Sequence, residues 1–272
     1  MARVFITGSA DGIGRLTAQL LVAGGHDVVL HARSERRAAD ARAGVPEARE
    51  VVVGDLSSIA AVRSVAEQIN AAEPLDAVVH NAAVGDTEPS RIETVDGLAH
   101  VFAVNVLAPY LLTALIGGSD LSGQPGQPGE PGKHGQPGQP GRLVYVSSGM
   151  QLNGARDLDD AQWTRRRWSG SRAYSDSKLF LTMLAFAVAR RRPAVRSNSA
   201  DPGWVPTRMG GPGATDDLSL APVTQAWLAT DAEVTGEHFF HRQPASVHPD
   251  TRVPAYQEEL LAYCATLTGV TF

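Results

Sequence analysis

The chain has 272 residues, of which 43% are hydrophobic, and its formal net charge at neutral pH is -5. The acidic balance argues against a nucleic-acid partner, which usually requires a basic surface, and no apolar run approaches the roughly eighteen residues of a membrane span. The only cysteine, Cys264, leaves no intrachain disulfide and no thiolate metal site. Because the first residues contain no signal-peptide pattern, a cytoplasmic protein without a membrane partner is expected.

Five Val-rich segments predict the strands of a parallel sheet. In chain order they read RVFITG, DVVLHAR, EVVVGD, DAVVHNA and RLVYVSS, each almost continuously apolar, as strands covered on both faces must be. Helical periodicity lies between and after them, at 15–23, 59–72, 95–115 and 174–191. This alternation predicts an α/β fold with helices on both faces of the sheet. Right-handed crossovers place all the strand carboxyl ends at one edge, where ligands bind.

One segment interrupts this alternation. From Gly123 to Gly141 the chain reads GQPGQPGEPGKHGQPGQPG, with glycine at every third position as in collagen. So few triplets inside a compact domain disfavour a triple helix, and we expect a mobile loop rich in polyproline II conformation at about 117–142. Because the loop precedes a strand, it should lie at the edge opposite the ligand crevice.

The stretch TGSADGIG follows the first strand and begins the first helix. Gly8, Gly12 and Gly14 permit a tight turn and a close approach of the backbone, so that a pyrophosphate can bind the free N–H groups at the helix N-terminus. The strand–turn–helix context is the one that this mechanism requires. The pattern predicts a dinucleotide site, although Asp11 within the loop is an unfavourable neighbour for a phosphate.

The second strand ends in LHARSERR, at the position where dinucleotide folds select their cofactor. An Asp or Glu there would bind a ribose 2′-hydroxyl, whereas an arginine accommodates a 2′-phosphate. The residue is Arg33, whose guanidinium matches a phosphate in charge and geometry, with Arg36 or Arg37 as helpers. NADP(H) is therefore favoured over NAD(H), with a solvated arginine in a basic turn as the alternative.

Further along, RAYSDSKLF places Tyr174 four residues before Lys178, on one face of a predicted helix. This spacing alone is common on helix surfaces.

Taken together, this pair and the other motifs make the chain resemble the short-chain dehydrogenase/reductase family over nearly its whole length. TGSADGIG is similar to the family's TGxxxGxG, YSDSK to its YxxxK, and HNAAV to its NNAG, from which His80 and Ala83 depart.

Four more stretches carry the resemblance, namely GDLSS, FAVNVLAP, YVSSG and DPGWVPT. The family implies a doubly wound Rossmann fold with a mostly parallel seven-stranded sheet, formed by a single domain over residues 1–272. The spacing between Ser148 and Tyr174 is similar to that of the retinol dehydrogenase-like members. Only the collagen-like loop has no counterpart in the family.

By this resemblance, Tyr174 exchanges a proton with the substrate oxygen, because Lys178 and an oxidised nicotinamide both favour the phenolate. Ser148 binds the same oxygen, with Ser147 as the competing candidate. Asn105 kinks its helix and holds a water leading to Lys178. The implied catalytic residues are thus Asn105, Ser148, Tyr174 and Lys178, and the implied cofactor-binding residues are Gly8, Ala10, Asp11, Gly12, Ile13, Gly14, Arg33, Asp55, Leu56, Asn81, Ala82, Tyr174, Lys178, Pro202, Gly203, Val205 and Thr207.

The implied activity is hydride transfer between NADP(H) and a carbonyl or alcohol substrate, acting on CH–OH groups. Two alternatives stay open. One is a catalytically silent NADP(H)-binding sensor or scaffold. The other is a sugar-nucleotide epimerase, for which the chain is short. No metal is expected, because His238 and His241 lie in or near a predicted strand and have no thiolate partner.

Substrate choice is assigned to the variable stretches 149–173 and 204–221. Their tryptophans and methionines favour an apolar or aromatic small molecule. The predicted helices at 95–115 and 174–191 carry more apolar residues than one face against the sheet requires. Pairing through these helices would give a homodimer or homotetramer.

Overall fold

The computed structural model describes residues 1–117 and 138–271. Most of the predicted collagen-like loop lies outside these residues. The two described ends of the segment lie together, because a methyl group on Gly117 would be 2.2 Å from the carbonyl oxygen of Gly138. The Gly117 N–H is also bound by the Asn70 side chain, at 2.9 Å.

The described residues form one eight-stranded sheet in the order β3-β2-β1-β4-β5-β6-β7-β8. The first seven strands are parallel, as expected. The expected count of seven strands is one too low, because a two-residue antiparallel strand extends the edge beyond β7. The order reverses between β1 and β4, which opens a crevice at their carboxyl ends. The bounds are β1 Arg3–Ile6, β2 Asp27–Ala32, β3 Glu50–Val53, β4 Ala77–His80, β5 Arg142–Val146, β6 Arg196–Asp201, β7 His238–Phe240 and β8 Gln243–Pro244.

Helices cover both faces of the sheet. One apolar layer lies beneath α3, α5, α6 and α8, and the other beneath α1, α2 and α7. The helix bounds are α1 Gly12–Ala23, α2 Glu35–Gly44, α3 Ile59–Asn70, α4 His100–Phe102, α5 Ala108–Leu115, α6 Gly170–Arg191, α7 Val223–Thr230 and α8 Pro254–Thr268, with a π-helical turn at Ala103–Leu107 joining α4 to α5.

The predicted helix at 95–115 starts late, at His100, because the preceding residues form a tight turn. The N–H of Gly97, whose φ is +76°, bonds to the carbonyl of Thr94, and Glu93 pairs with Ala99 as an isolated bridge. Asp-Gly at 96–97 is a turn signal that interrupts the apolar pattern. The prediction was therefore wrong at this end and correct at Leu115.

The C-terminal helix α8 covers helices that the sequence analysis had assigned to subunit pairing. Every residue of α6 from Ala173 to Val188 is buried within the single chain. Tyr263 of α8 packs edge-on against Phe102, at 5.6 Å between ring centroids, and the Tyr110 hydroxyl donates to the carbonyl of Val270, at 2.6 Å. The surplus apolar surface of these helices is thus used, at least in part, inside one chain.

His80, one of the two departures from the family motif, is part of a buried polar cluster between the sheet and α5. Its ring stacks on Tyr145 with centroids 4.7 Å apart, and its Nε2 lies 3.1 Å from the Thr113 hydroxyl, which also bonds to Tyr145. Its Nδ1 has no hydrogen-bond partner in the described part of the chain. Burial lowers the pKa of His80 from 6.5 to about 3.

This depressed pKa predicts acid sensitivity. Between about pH 6.5 and pH 3 the unfolded chain binds a proton at His80 and the folded chain does not, so stability falls as pH falls through this window. By about pH 5 the loss from His80 should reach roughly 2 kcal/mol. Urea unfolding at about pH 7 and pH 5 should show a smaller decline in the free energy of unfolding for His80→Asn than for the wild type. Equal declines would contradict the buried neutral imidazole.

Candidate active site

A cavity of about 490 Å³ lies at the carboxyl ends of β1, β2, β4 and β5. Its wall brings together most of the residues that the sequence had selected from distant motifs. Four predicted site residues do not contribute to the wall, namely Asn105, Ser148, Gly203 and Val205. Gly203, with φ +88°, packs on the Asp216 carboxylate, and Val205 is buried. The predicted residues on the wall are Gly8, Ala10, Asp11, Gly12, Ile13, Gly14, Arg33, Asp55, Leu56, Asn81, Ala82, Tyr174, Lys178, Pro202 and Thr207.

The three glycines of this loop are required for two different structural reasons. A Cβ on Gly8 would lie 2.9 Å from Ala82 Cα, and one on Gly14 would lie 2.5 Å from the Gly8 carbonyl oxygen, so both are required for packing. Gly12 has φ +53°, and a Cβ there would meet only Thr207 Cγ2, at 4.0 Å. A side chain at Gly12 would therefore enter the cavity rather than the protein.

The start of α1 is arranged to receive an anion. Asp11 occupies the N-cap position, yet its side chain accepts no hydrogen bond from the helix and instead pairs with Arg37. The first-turn N–H groups are thus left for another acceptor, and the helix dipole favours a negative charge there. The unfavourable charge of Asp11 noted in the sequence is neutralised by this ion pair. The residues present fit a dinucleotide phosphate.

His31 fixes the glycine loop and was missed in the sequence. Its Nδ1 accepts the Gly8 N–H at 3.0 Å, and its Nε2 donates to the Gly54 carbonyl at 2.9 Å, so the ring is the neutral Nε2–H tautomer. Burial lowers its pKa to about 4. A histidine at a buried position near the end of the second strand was the signal available in the sequence.

The three arginines after β2 differ in their ion pairs and in their position relative to the cavity. Arg37 is bound by two carboxylates, those of Asp11 and Asp40. Arg33 is exposed on the cavity wall and forms no ion pair with the described residues. Arg36 is exposed and does not contribute to the wall. Of the three candidates, only Arg33 presents a guanidinium to the cavity that no carboxylate has already bound.

Tyr174 and Lys178 lie together on α6, as the spacing predicted. The Lys178 Nζ is 5.3 Å from the centroid of the Tyr174 ring and donates to the Val146 carbonyl at 2.7 Å. The Ser148 side chain lies near enough to the Tyr174 phenol to oppose the rise in its pKa. Ser147, the competing candidate, uses its hydroxyl for Thr182 at 2.7 Å and for the Lys178 carbonyl at 3.2 Å. Of the two serines, Ser148 is therefore the one that acts on the phenol.

In the protein without cofactor, burial governs the pKa of both Tyr174 and Lys178. Burial raises the pKa of Tyr174, and the charges of Asp86 and Asp201 raise it further, although the Ser148 side chain opposes them. Burial also lowers the pKa of Lys178 to about 7, against the opposing effect of Asp201. In the protein alone, Tyr174 is thus a neutral phenol at physiological pH and is suited to donate a proton.

Asn105 lies in the π-helical turn, in agreement with the expected helix distortion. Its Oδ1 accepts the Val84 N–H at 2.9 Å, and its Nδ2 donates to the Val84 carbonyl at 2.8 Å and to the Ser177 hydroxyl at 3.0 Å. The side chain therefore ties the loop after β4 to α6 from behind the cavity wall. The expected water connection to Lys178 stays a prediction.

The two stretches assigned to substrate choice are not equivalent. Residues 149–173 do not contribute to the described cavity wall, whereas Arg208 and Met209 of the second stretch do. In the first stretch, Arg166 stacks over Trp163 and pairs with Asp160 and Asp176. Residues 149–173 thus lie outside the described wall, and their role in substrate choice stays a prediction.

Comparisons with known proteins agree with this architecture. A family model described as short chain dehydrogenase matches residues 2–126. An uncharacterized oxidoreductase of Emericella nidulans is 40% identical, covering 99% of this chain and 98% of the relative. The short-chain dehydrogenase chyC of Penicillium rubens is 36% identical, with coverage of 99% and 98%. A solved structure of an uncharacterized protein from Mycobacterium paratuberculosis has a TM-score of 0.79 at 25% identity, covering 100% of this chain and 95% of that one.

Proposed function

Because the chain belongs to the short-chain dehydrogenase/reductase family, whose enzymes are oxidoreductases acting on CH–OH groups, we propose that it transfers a hydride between NADP(H) and a carbonyl or alcohol substrate, with Tyr174 as the general acid/base. One observation carries the proposal. Tyr174 shares the wall of a single cavity with Lys178 and the glycine loop.

When bound at this site, NADPH would supply the hydride for the reacting carbon. In the direction of reduction, the neutral phenol of Tyr174 gives its proton to the substrate oxygen as negative charge develops there. The Ser148 hydroxyl binds the same oxygen and fixes it beside the phenol. Lys178 and Thr207 are proposed to hold the nicotinamide end, and Asn105 to position α6 from behind.

The test is NADPH consumption with a panel of aldehydes, ketones and quinones. The proposal predicts consumption with at least one carbonyl compound. Tight NADPH binding without consumption of any of them would contradict it and would favour a silent cofactor sensor.

Arg33 supports the preference for NADP(H), because it follows β2 on the cavity wall and forms no ion pair with the described residues. Arg33→Ala should weaken NADPH binding by about tenfold to a hundredfold, since a charge-assisted hydrogen bond is lost, and should leave NADH binding nearly unchanged. Binding is followed by fluorescence titration of both cofactors. Arg36→Ala, which removes an exposed guanidinium away from the cavity, is the matched control. Equal losses for NADPH and NADH would contradict the assignment.

The remaining expectations have less support from the structure. A small, apolar or aromatic substrate is proposed on the composition near Met209. No helix in the described ranges is long and apolar enough to cross a bilayer, and the cytoplasmic location stays a prediction. The homodimer or homotetramer also stays a prediction, and its interface would have to include surface that α8 leaves uncovered.

A further inference from the structure

A tight turn after β4 presents an acidic residue to the reacting centre. The Glu88 N–H bonds to the Gly85 carbonyl at 2.8 Å, which closes the turn around Asp86 and Thr87. Gly85 has φ +130°, and a Cβ on it would lie 3.2 Å from Tyr174 Cδ2. The turn is therefore packed directly against the proposed general acid/base.

This turn is fixed from three sides. The Trp168 Nε1–H donates to the Glu88 carbonyl at 2.9 Å, and the Glu88 carboxylate bonds to His100 Nδ1 at 2.8 Å. A Cβ on Gly170, at the start of α6, would be 2.9 Å from the Asp86 carbonyl oxygen, so the helix and the turn are in close contact. The position of Asp86 relative to α6 is thus set before any substrate binds.

The Asp86 carboxylate is only partly satisfied by the protein. Asp86 lines the cavity, and its Oδ1 has no hydrogen-bond partner in the described part of the chain. The other two acids on the cavity wall differ in this respect. Asp11 pairs with Arg37, and Asp55 accepts the Ser57 N–H at 3.0 Å. A carboxylate that lacks donors costs free energy, and a ligand that donates to this carboxylate from the cavity recovers it.

Resting on the hydride-transfer function proposed above, we propose that Asp86 is a specificity-determining residue that accepts a hydrogen bond from a hydroxyl or ammonium group of the substrate, close to its reacting carbon. The substrate class is then a hydroxy- or amino-substituted carbonyl compound or the corresponding alcohol. The required donor group narrows the apolar or aromatic substrate class proposed above. The rest of the substrate would still contact the apolar side chains of Met209, Val84 and Val104 on the cavity wall.

Asp86 also acts on Tyr174 through its charge, so the test must separate recognition from proton transfer. NADPH-dependent reduction is measured with α-hydroxyacetophenone, α-aminoacetophenone and α-methoxyacetophenone, the last of which has no donor. Within one variant, the ratio of kcat/KM for the hydroxy and methoxy ketones cancels any common effect on the phenol. Asp86→Ala should reduce the wild-type ratio at least about tenfold.

Two further variants test the contribution of the Asp86 charge and provide a matched control. Asp86→Asn keeps an acceptor oxygen and removes the charge, so it should lower the ratio of amino to methoxy ketone more than the ratio of hydroxy to methoxy ketone. Glu73→Gln makes the same change from carboxylate to amide at an exposed position and should change neither ratio. If Asp86→Ala lowers kcat/KM for all three ketones by the same factor, Asp86 acts only through Tyr174 and the proposal is overturned.

A binding measurement distinguishes this proposal from the catalytic one. Calorimetry on the NADP⁺-loaded protein compares 1-phenyl-1,2-ethanediol with its terminal methyl ether, which lacks the second hydroxyl donor. Asp86 recognition predicts at least about tenfold tighter binding of the diol, lost in Asp86→Ala. Absence of turnover with this binding pattern intact would defeat hydride transfer and leave Asp86 supported. Equal binding of diol and ether by the wild type would overturn the role of Asp86 whatever the turnover.

Discussion

Replacing Tyr174 with phenylalanine is expected to lower kcat for carbonyl reduction by about three orders of magnitude, the range typical of a lost general acid. The substitution removes one oxygen from a side chain that is only 8% exposed and leaves the ring packing intact. Since the lost group acts on the substrate oxygen, NADPH binding should change little. Steady-state kinetics and fluorescence titration of NADPH measure the two quantities separately.

Tyr256→Phe is the matched control, because it removes a phenolic oxygen from α8, where the ring packs under Arg156 and far from the cavity wall. It should leave kcat unchanged. A Tyr174→Phe enzyme with near-normal kcat would show that the proton reaches the substrate by another route.

The second large effect is expected at Gly12. An alanine there places a methyl group in the cavity, where the backbone must approach the pyrophosphate closely, so NADPH binding should weaken by about a hundredfold or more. The same change also forces an L-residue into a left-handed conformation, at a cost of about 1–2 kcal/mol in stability. Titration of NADPH and urea unfolding of the variant measure both effects.

The control variant Gly269→Ala separates the effect on NADPH binding from the effect on stability. Gly269, at the end of α8, has φ +69°, and nothing lies within 4 Å of a Cβ there. It should lose a similar amount of stability and bind NADPH normally. If both variants bind NADPH equally well, the glycine loop does not contact the cofactor in the way proposed.

The sequence predicted those features of the fold that depend on local pattern. The five apolar runs became β1 to β5, and TGSADGIG forms the turn before α1, because continuous burial and glycine geometry are encoded within a few neighbouring residues. The start of α4 was misplaced, since the Asp-Gly turn at 96–97 overrides the apolar periodicity around it.

The features that were missed depend on contacts between distant segments. His31 matters because its ring reaches both Gly8 and Gly54, and Asp86 matters because its turn packs on α6. Neither has a recognisable spacing in the sequence. The ion pairs of Arg166 with Asp160 and Asp176 are likewise contacts that the composition of this stretch did not predict.

The protonation state of Tyr174 in the protein alone also depends on contacts between distant segments. Sequence spacing placed a cation near the phenol and suggested the phenolate. In the folded chain, burial dominates both groups, raising the pKa of Tyr174 and lowering that of Lys178 to about 7. Burial is a property of the whole fold, and so the direction of these shifts was not available from the positions of two residues.

Single-turnover oxidation of bound NADPH tests the central claim most directly, because it isolates the chemical step from cofactor binding and product release. Wild-type and Tyr174→Phe proteins, each saturated with NADPH, are mixed with a carbonyl compound that the wild type reduces. The account predicts rapid loss of NADPH absorbance for the wild type and a rate about a thousandfold lower for the variant. Equal rates for the two proteins would contradict proton transfer by the Tyr174 hydroxyl.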